Sequence, residues 1–384
     1  MSAPNAGSEQ PLRILHVLTY VSATNVFGGP TSVAVGLSKE CERRGHEAVI
    51  LAPADDATSQ RSTWQDVPAQ FFKAHRVAPL GFSGIAAPAG LRWYNEHADD
   101  FDVVHVHMAR DLFTLPVAAL ALRKDKPLIL QTHGMVDPSS RLLAKPLDLA
   151  LTRRVLRTAD SVLYLTDYEL RGLEAAAGTP LGNTSRLRNG IRAASAPVDP
   201  AASNELLFMS RFEDRKRPDH FVRMAHRLIE EGHDLRFALV GPDQGMLTEV
   251  LELIDRLGVS DRVAYEGALP PEKTLERVSR ARALVLPSVR EPFPMVLLES
   301  MSVGVPVICT TGCGLAEDVR STGAGLVCEP DLDSLVDAAR SIALDDATAS
   351  MLGQAAFAAA QGPLGIEQVG DDLLRVYRRA LALR

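Results

Sequence analysis

The stretch that most constrains this chain runs from Leu284 to Thr310, because it reads as a strand, a loop, a helix, a turn and a second strand. Leu284 to Leu286 is a short apolar run typical of a buried strand. Pro294 suits the first turn of a helix, where its missing N–H costs nothing, and Gly304 suits the end of that helix. Val305 to Cys309 is predicted to form the next strand. Two strands joined by a helix are typical of a parallel sheet.

The N-terminal half starts with the same alternation of elements. Leu12 to Leu18 is predicted to form a strand, and the loop after it ends in Gly28 and Gly29. Thr31 to Arg44 has helical spacing, and Glu47 to Leu51 is a second predicted strand. This βαβ pattern predicts a first parallel sheet.

Further strands and helices alternate along the whole chain of 384 residues, a length that favours two domains. The fold class is therefore α/β, with two Rossmann-like doubly wound parallel-sheet domains. Residues 55–90 are expected to form loops and a short hairpin. The predicted organisation is a disordered leader, an N-terminal domain, a Pro-containing linker, a C-terminal domain and a final helix, at residues 1–11, 12–191, 192–204, 205–362 and 363–384.

Composition excludes several classes of protein. The net charge of −7 disfavours nucleic-acid binding. No apolar run approaches the roughly 18 residues that span a bilayer, and the N-terminus lacks the basic region of a signal peptide. Four cysteines are scattered without a disulfide or zinc pattern, which favours a reducing cytoplasm: Cys41, Cys309, Cys313 and Cys328.

Two carboxylates stand in the opening stretch, Glu291 in the loop and Glu299 in the helix, about two helical turns apart. They would bracket a ligand at the helix N-terminus, which suits phosphates and sugar hydroxyls. Solvated surface carboxylates are the alternative. Gly28 and Gly29 would let backbone N–H groups approach an anion, or would only make a tight turn.

Cationic and imidazole side chains follow other predicted strands. Arg211 and Lys216 lie around a strand-to-helix loop, where two cations suit a diphosphate and a solvated basic loop is the alternative. His133 follows a parallel strand at its carboxyl end, where such sheets bind ligands, or is a structural histidine. His105 and His107 share one face of a strand. A metal pair there has no third ligand nearby in the sequence, so packing at a strand end is favoured.

The segment 141–157 is basic and partly amphipathic. A helix packed on the sheet is the favoured interpretation. Contact with anionic lipid headgroups or a lipid-linked acceptor at the inner membrane face is the alternative.

The run Glu-Pro-Phe-Pro-Met-Val-Leu-Leu-Glu, residues 291–299, resembles the Glu, seven residues, Glu signature of retaining glycosyltransferases of family 4. The resemblance extends from Leu12 to the C-terminus. It implies the GT-B fold, in which the two domains face a cleft and the last helix crosses back to the first domain. Arg217 and Pro294 stand where many members have glycine, and Pro294 removes one backbone donor to the sugar.

The resemblance also implies roles for the candidate residues. Glu299 would hold the ribose of a nucleotide sugar, and Glu291 and His133 would meet the transferred sugar. Arg211 and Lys216 would neutralise the donor diphosphate, near the paired glycines. The remaining donor-binding positions implied by the motif are Phe293, Pro294, Met295 and Val296.

The implied activity is transfer of a hexose from a nucleoside diphosphate sugar to a hydroxyl acceptor, with retained configuration and no metal or other cofactor. UDP is favoured over GDP, and GDP-mannose is the next donor. The acceptor would be a sugar, a lipid-linked glycan or a small molecule, in glycan, polysaccharide or glycolipid biosynthesis. No double displacement is expected, because no two carboxylates are placed as nucleophile and acid.

Three alternatives stay open at this point. An epimerase or phosphorylase would share the fold, and a product assay separates them. A nicotinamide oxidoreductase would need the spaced-glycine fingerprint, which this sequence lacks. A non-catalytic nucleotide-sugar binding protein is disfavoured by the intact Lys216 and Glu299.

Overall fold

The computed structural model describes residues 10–22, 28–77, 80–136 and 151–384. Residues 1–9 of the expected leader and residues 137–150 lie outside that range. The chain divides into two compact units, one formed by residues up to Arg188 together with Val369–Arg384, the other by Asn189–Gln368.

The segment 192–204, expected to be a linker, belongs to the second unit. The N–H of Ala194 donates to the carbonyl of Ser302 at 2.8 Å, and the N–H of Val198 donates to that of Val303 at 2.9 Å. Gly304 has φ +82°, and a Cβ there would lie 2.6 Å from Cβ of Pro197. Backbone hydrogen bonds and close packing therefore fix this segment against the second unit.

The first unit is built on an eight-stranded sheet in the order β10-β9-β8-β7-β1-β2-β4-β3. Its strands pair in parallel except for the antiparallel β3–β4 pair. The strand order reverses between β1 and β7, and such switch points are where open α/β sheets bind ligands. The strands of this unit, with β5 and β6 forming a separate ribbon, are β1 Arg13–Val17, β2 Glu47–Ala54, β3 Thr63–Trp64, β4 Val67–Lys73, β5 His75–Arg76, β6 Ile85–Ala86, β7 Val103–His107, β8 Leu128–Gln131, β9 Ser161–Tyr164 and β10 Thr184–Arg186.

Strand β4 corrects the prediction that residues 55–90 hold only loops and a hairpin. It pairs in parallel with β2 and extends the main sheet. Val67, Ala69 and Phe71 are buried and alternate with more exposed neighbours, so one face of the strand packs in the core. Pro68 obscures this pattern in the sequence, although proline is tolerated near a sheet edge.

The helices of the first unit include one correction. The structure places Gly28 and Gly29 in the first turn of α1, not in a loop before it. The helices in this unit are α1 Gly28–Arg43, α2 Pro88–His97, α3 Thr114–Arg123, α4 Arg153–Thr158 and α5 Asp167–Ala177.

Helix α4 is the described part of the segment considered for membrane contact. Val155 and Leu156 are buried in the core, and Arg157 donates to the carbonyl of Ala177 at 2.5 Å. This helix therefore packs within the unit. Among the described residues no helix is both long enough and apolar enough to cross a membrane.

The second unit has a six-stranded parallel sheet in the order β13-β12-β11-β14-β15-β16, with its switch point between β11 and β14. Its strands are β11 Glu205–Met209, β12 Arg236–Val240, β13 Val263–Tyr265, β14 Ala283–Leu286, β15 Val307–Thr310 and β16 Gly325–Cys328. Its helices are α6 Pro218–Glu230, α7 Leu247–Leu257, α8 Thr274–Val278, α9 Met295–Ser302, α10 Ala316–Thr322, α11 Leu332–Ala343 and α12 Asp346–Gln361.

The last helix, α13 (Ile366–Ala382), joins the first unit over most of its length. Tyr377 is fully buried, and its hydroxyl lies 2.7 Å from Nδ1 of His105 on β7. A buried polar contact thus ties this helix to the sheet.

Candidate functional site

Two candidate charges of the second unit meet at the switch point of its sheet. Lys216 follows β11 and Glu291 follows β14, and these strands are neighbours. The backbone of Glu291 is held by the loop after β15, because its N–H donates to Gly312 at 3.1 Å and its carbonyl accepts from Gly314 at 2.7 Å. The fold therefore brings together two residues that are remote in sequence.

Lys216 and Glu291 form a buried ion pair, with each side chain 7% exposed. Nη1 of Arg215 lies 3.3 Å from the same carboxylate. Burial lowers the pKa of Lys216, while the charge of Glu291 opposes that shift. Both cations are held at the start of helix α6 by this carboxylate.

Arg211 lies in the same loop and is linked to Arg215 by a shared contact with Glu213. Its guanidinium lies 3.2 Å from the Glu213 carboxylate, which Arg215 also contacts at 3.0 Å. The Arg211 side chain is 45% exposed, so it keeps access to an anion in solution. Arg215 was not among the predicted site residues, although it lies beside Lys216 in the sequence.

Arg217 has a positive φ of 54° and ψ of 51° at the start of α6. This left-handed conformation favours glycine, the residue that the family resemblance led us to expect there.

The donor-binding motif surrounds the start of helix α9. Pro294 is the residue that precedes the helix, one place earlier than its predicted position in the first turn. Phe293 is buried, and Met295 and Val296 are half-buried in the first turn. The first N–H groups of a helix have no intrahelical acceptor, so this end offers donors to an anion.

Glu299 is half-buried on α9. Burial raises the pKa of its carboxyl to about 7. Within the described part of the chain this carboxyl has no hydrogen-bond or ionic partner. It is therefore an acceptor that lacks a donor.

In the first unit, three histidines lie along neighbouring strands. Nδ1 of His16 on β1 is 3.1 Å from Nε2 of His107 on β7, and Nδ1 of His107 is 2.8 Å from Nε2 of His133 after β8. Burial lowers the pKa of both His16 and His133 to about 3, so these rings are neutral near pH 7.

His16 corrects the expectation that the His105–His107 pair has no third ligand nearby. The β1–β7 register places it opposite His105, and the ligand atoms of all three lie within 4.8 Å of one another. A parallel pairing between distant strands is not visible in the sequence.

His133 stands in a tight turn with unusual backbone angles. His133 has φ 51° and Gly134 has φ 73°, and the N–H of Met135 donates to the carbonyl of Thr132 at 2.8 Å. Two consecutive positive φ values are typical of a type I′ turn. A non-glycine residue in this conformation is often found at functional sites.

Glu169 holds this turn and was missed by the sequence analysis. Its buried carboxylate accepts hydrogen bonds from the Thr132 hydroxyl and the Gly134 N–H, both at 2.6 Å, and from the Leu165 N–H at 2.7 Å. The capping sequence from Thr166 to Glu169 was the available signal.

Gly28 and Gly29 lie in the first unit, in the first turn of α1. A Cβ at Gly29 would meet nothing within 4 Å. Among the described residues, space therefore does not require glycine at this position.

Comparison with known proteins places these residues in a family context. Residues 195–358 match the family described as glycosyl transferases group 1, and residues 28–190 match the glycosyl transferase 4-like domain. The D-inositol 3-phosphate glycosyltransferase of Actinosynnema mirum is 31% identical, over 93% of this chain and 93% of that protein. The protein of the same name from Nocardiopsis dassonvillei is 30% identical, over 81% and 77%.

Solved structures share the fold at lower identity. HepE from Anabaena, solved with UDP and glucose, has a TM-score of 0.75 at 19% identity, covering 95% of this chain and 98% of that one. Sucrose-phosphate synthase from Thermosynechococcus elongatus has a TM-score of 0.74 at 19% identity, covering 97% and 100%. The predicted α/β class with two parallel-sheet domains is confirmed.

Proposed function

The chain belongs to glycosyltransferase family 4 and is a glycosyltransferase of GT-B type, and from this premise we propose that it transfers a hexose from a UDP-sugar to a hydroxyl acceptor with retained configuration. The observation that carries the proposal is the buried Lys216–Glu291 pair beside Arg211.

Departure of the nucleoside diphosphate develops negative charge on its phosphate oxygens. Lys216 and Arg211 neutralise that charge, and the N–H groups at the start of α9 add fixed donors. Lys216 leaves Glu291 in part when the diphosphate arrives, which frees the carboxylate to accept from the transferred sugar. Two cations and a helix end make a metal ion unnecessary for this step.

Glu299 binds the nucleotide by accepting hydrogen bonds from the ribose hydroxyls. Two vicinal ribose hydroxyls supply the donors that its carboxyl lacks in the free chain, and they favour the ionised form. His133 contacts a hydroxyl of the transferred sugar as a neutral imidazole.

Retention follows from attack on the same face from which the diphosphate leaves. The bond between the anomeric carbon and the phosphate oxygen breaks, the acceptor oxygen bonds to that carbon, and the leaving phosphate takes the acceptor proton. Arg215, 3.3 Å from Glu291, stays paired with this carboxylate when Lys216 turns to the diphosphate, and a paired carboxylate is a poor nucleophile, which supports this internal return over a double displacement.

The relatives named for D-inositol 3-phosphate make a phosphorylated polyol the first acceptor to test. HepE, solved with UDP and glucose, supports UDP as the first nucleotide. The four cysteines are free, which fits a cytoplasmic enzyme of glycan or glycolipid biosynthesis.

The test is a matrix of UDP- and GDP-sugars against inositol 3-phosphate and inositol, with EDTA present, read by mass spectrometry and by the anomeric coupling in NMR. We expect one donor to give a phosphorylated product with the donor's configuration, and inositol to react more slowly. An inverted product, or turnover that needs added metal, would contradict the proposal. Stabilisation by NAD alone in a thermal-shift assay would overturn it.

A further inference from the structure

A line of hydrogen-bonded imidazoles crosses three neighbouring strands of the first unit and ends at His133. His16 contacts His107 at 3.1 Å, and His107 contacts His133 at 2.8 Å. His16 and His107 are fully buried, whereas His133 as a residue is half-buried. The family role considered for His133 leaves the other two histidines unexplained.

A metal site is the first explanation to weigh for this cluster, since His16, His105 and His107 lie close together. A metal ion takes an imidazole lone pair in the plane of the ring. The His105 and His107 rings are stacked, with centroids 4.6 Å apart and planes at 15°, so their lone pairs run alongside each other and do not converge.

Hydrogen bonds also occupy most of the ring nitrogens nearest His107, whereas Nε2 of His16 has no partner within the described residues. Nδ1 of His105 contacts the hydroxyl of Tyr377, and both nitrogens of His107 face other histidines. The geometry therefore favours a hydrogen-bond network over a metal centre.

A neutral imidazole carries one N–H and one lone pair. His107 lies in the middle of the line, so it donates through one nitrogen and accepts through the other. Reversing its tautomer reverses the proton positions on both neighbours. The proton on His133 is therefore linked to the proton on His16.

In both arrangements Nε2 of His133 is occupied by His107. Nδ1 of His133 is buried and has no hydrogen-bond partner within the described ranges. The backbone of His133 is fixed as well, because Glu169 holds the turn on both sides of it. With the backbone fixed, the His133 side chain can still rotate its imidazole ring. The hydrogen bond with His107 restricts that rotation.

We propose that His107 is a positioning residue, which holds the His133 ring so that Nδ1 is the nitrogen offered to a hydroxyl of the transferred sugar. The inference rests on the proposed function, in which His133 contacts that sugar. His16 fixes His107 in turn.

Two variants of similar size separate the two hydrogen bonds of His107. The amide of asparagine reaches the place of Nδ1, and that of glutamine reaches the place of Nε2. His107→Asn therefore keeps a partner for His133, whereas His107→Gln keeps a partner for His16. We expect His107→Gln to lower kcat for nucleotide-sugar turnover about tenfold or more, and His107→Asn to stay within about threefold.

A double-mutant cycle shows whether His107 acts through His133. In a His133→Ala background, His107→Gln should lower turnover by less than about twofold further. A full tenfold loss in that background would mean a general structural effect and would overturn the proposal. Equal losses in His107→Asn and His107→Gln would do the same.

A spectroscopic measurement tests the network without turnover. In ¹⁵N-histidine NMR, the His133 signal, assigned by its loss in His133→Ala, should report the same tautomer in wild type and His107→Asn and a changed one in His107→Gln. An unchanged signal in His107→Gln contradicts the proposal. Wild-type protein that turns over no nucleotide sugar would instead refute the proposed function, with the NMR result still deciding the network.

Discussion

Lys216 and Glu291 are 75 positions apart in the chain and form a buried ion pair at the switch point of the second sheet. Each charge is largely removed from water, so each needs a partner at all times. When the donor arrives, its diphosphate can replace Glu291 as the ionic partner of Lys216. The ion pair thus holds the Lys216 ammonium in place and charged until the donor binds.

Lys216→Ala should lower kcat/KM for transfer by two to three orders of magnitude, because it removes one of the two cations proposed to neutralise the developing charge. The variant should stay folded, since Arg215 still lies 3.3 Å from Glu291. Steady-state kinetics with circular dichroism measure both effects. Lys273→Ala, at a side chain that is 59% exposed, is the matched control and should behave as wild type. A near-normal rate in Lys216→Ala would remove this residue from the site.

Glu299→Gln should change how stability depends on pH. The folded carboxyl has a pKa of about 7 against an ordinary value of 4.5, so between these pH values the folded chain holds a proton that the unfolded chain releases. The free energy of unfolding of the wild type therefore falls as pH rises through this window. The glutamine variant lacks that fall. Relative to wild type, its free energy of unfolding should therefore rise by about 1–3 kcal/mol between pH 4.5 and pH 8.

Urea unfolding at pH 5 and pH 8 measures this difference for Glu299. Glu252→Gln, at an exposed position on α7, is the control and should run parallel to wild type. Parallel curves for Glu299→Gln as well would show that its carboxyl is not perturbed by burial.

Arg217→Gly and Arg217→Val test the left-handed backbone at the start of α6. Glycine adopts φ 54° without strain, and we expect the variant to match or exceed wild-type stability and to keep its transfer rate. A β-branched residue is strained there, so Arg217→Val should cost about 1–2 kcal/mol. Thermal unfolding compares the two, and a valine variant as stable as the glycine variant would contradict the observed backbone conformation.

Tyr377→Phe should destabilise the chain by about 1–3 kcal/mol, because it leaves Nδ1 of His105 buried without its partner. The exposed Tyr168, at 60%, provides the control substitution Tyr168→Phe, which should have little effect. Both are measured as the midpoint of denaturant unfolding. Equal midpoints would indicate that the tyrosine hydroxyl contributes no net stability to the docking of α13.

The apolar runs of the sequence predicted much of the fold, including the first strand, expected at Leu12 to Leu18 and observed at Arg13–Val17. Parallel strands read as continuous buried runs, which makes them visible without their partners. Strand β4 was missed because Pro68 and its exposed face break that signal. The paired glycines were predicted to end a loop, whereas the first turn of α1 accommodates them.

The site was less predictable, because its contacts depend on which strands are neighbours. Arg215 and Glu169 meet partners at separations of 76 and 35 positions, and His16 meets His107 at 91. Such pairings follow from sheet order and register, which a single sequence does not contain. The family motif supplied the candidate residues of the second unit, but their pairing came from the structure.

The most direct test of the central claim is UDP release from the best UDP-sugar in the presence of EDTA, measured for wild type and Lys216→Ala with the acceptor found in the donor screen. We predict acceptor-dependent release by wild type that EDTA does not reduce, and a loss of at least about a hundredfold in the variant. Release that EDTA abolishes, or that Lys216→Ala leaves unchanged, would contradict the assignment of the diphosphate charge to this side chain.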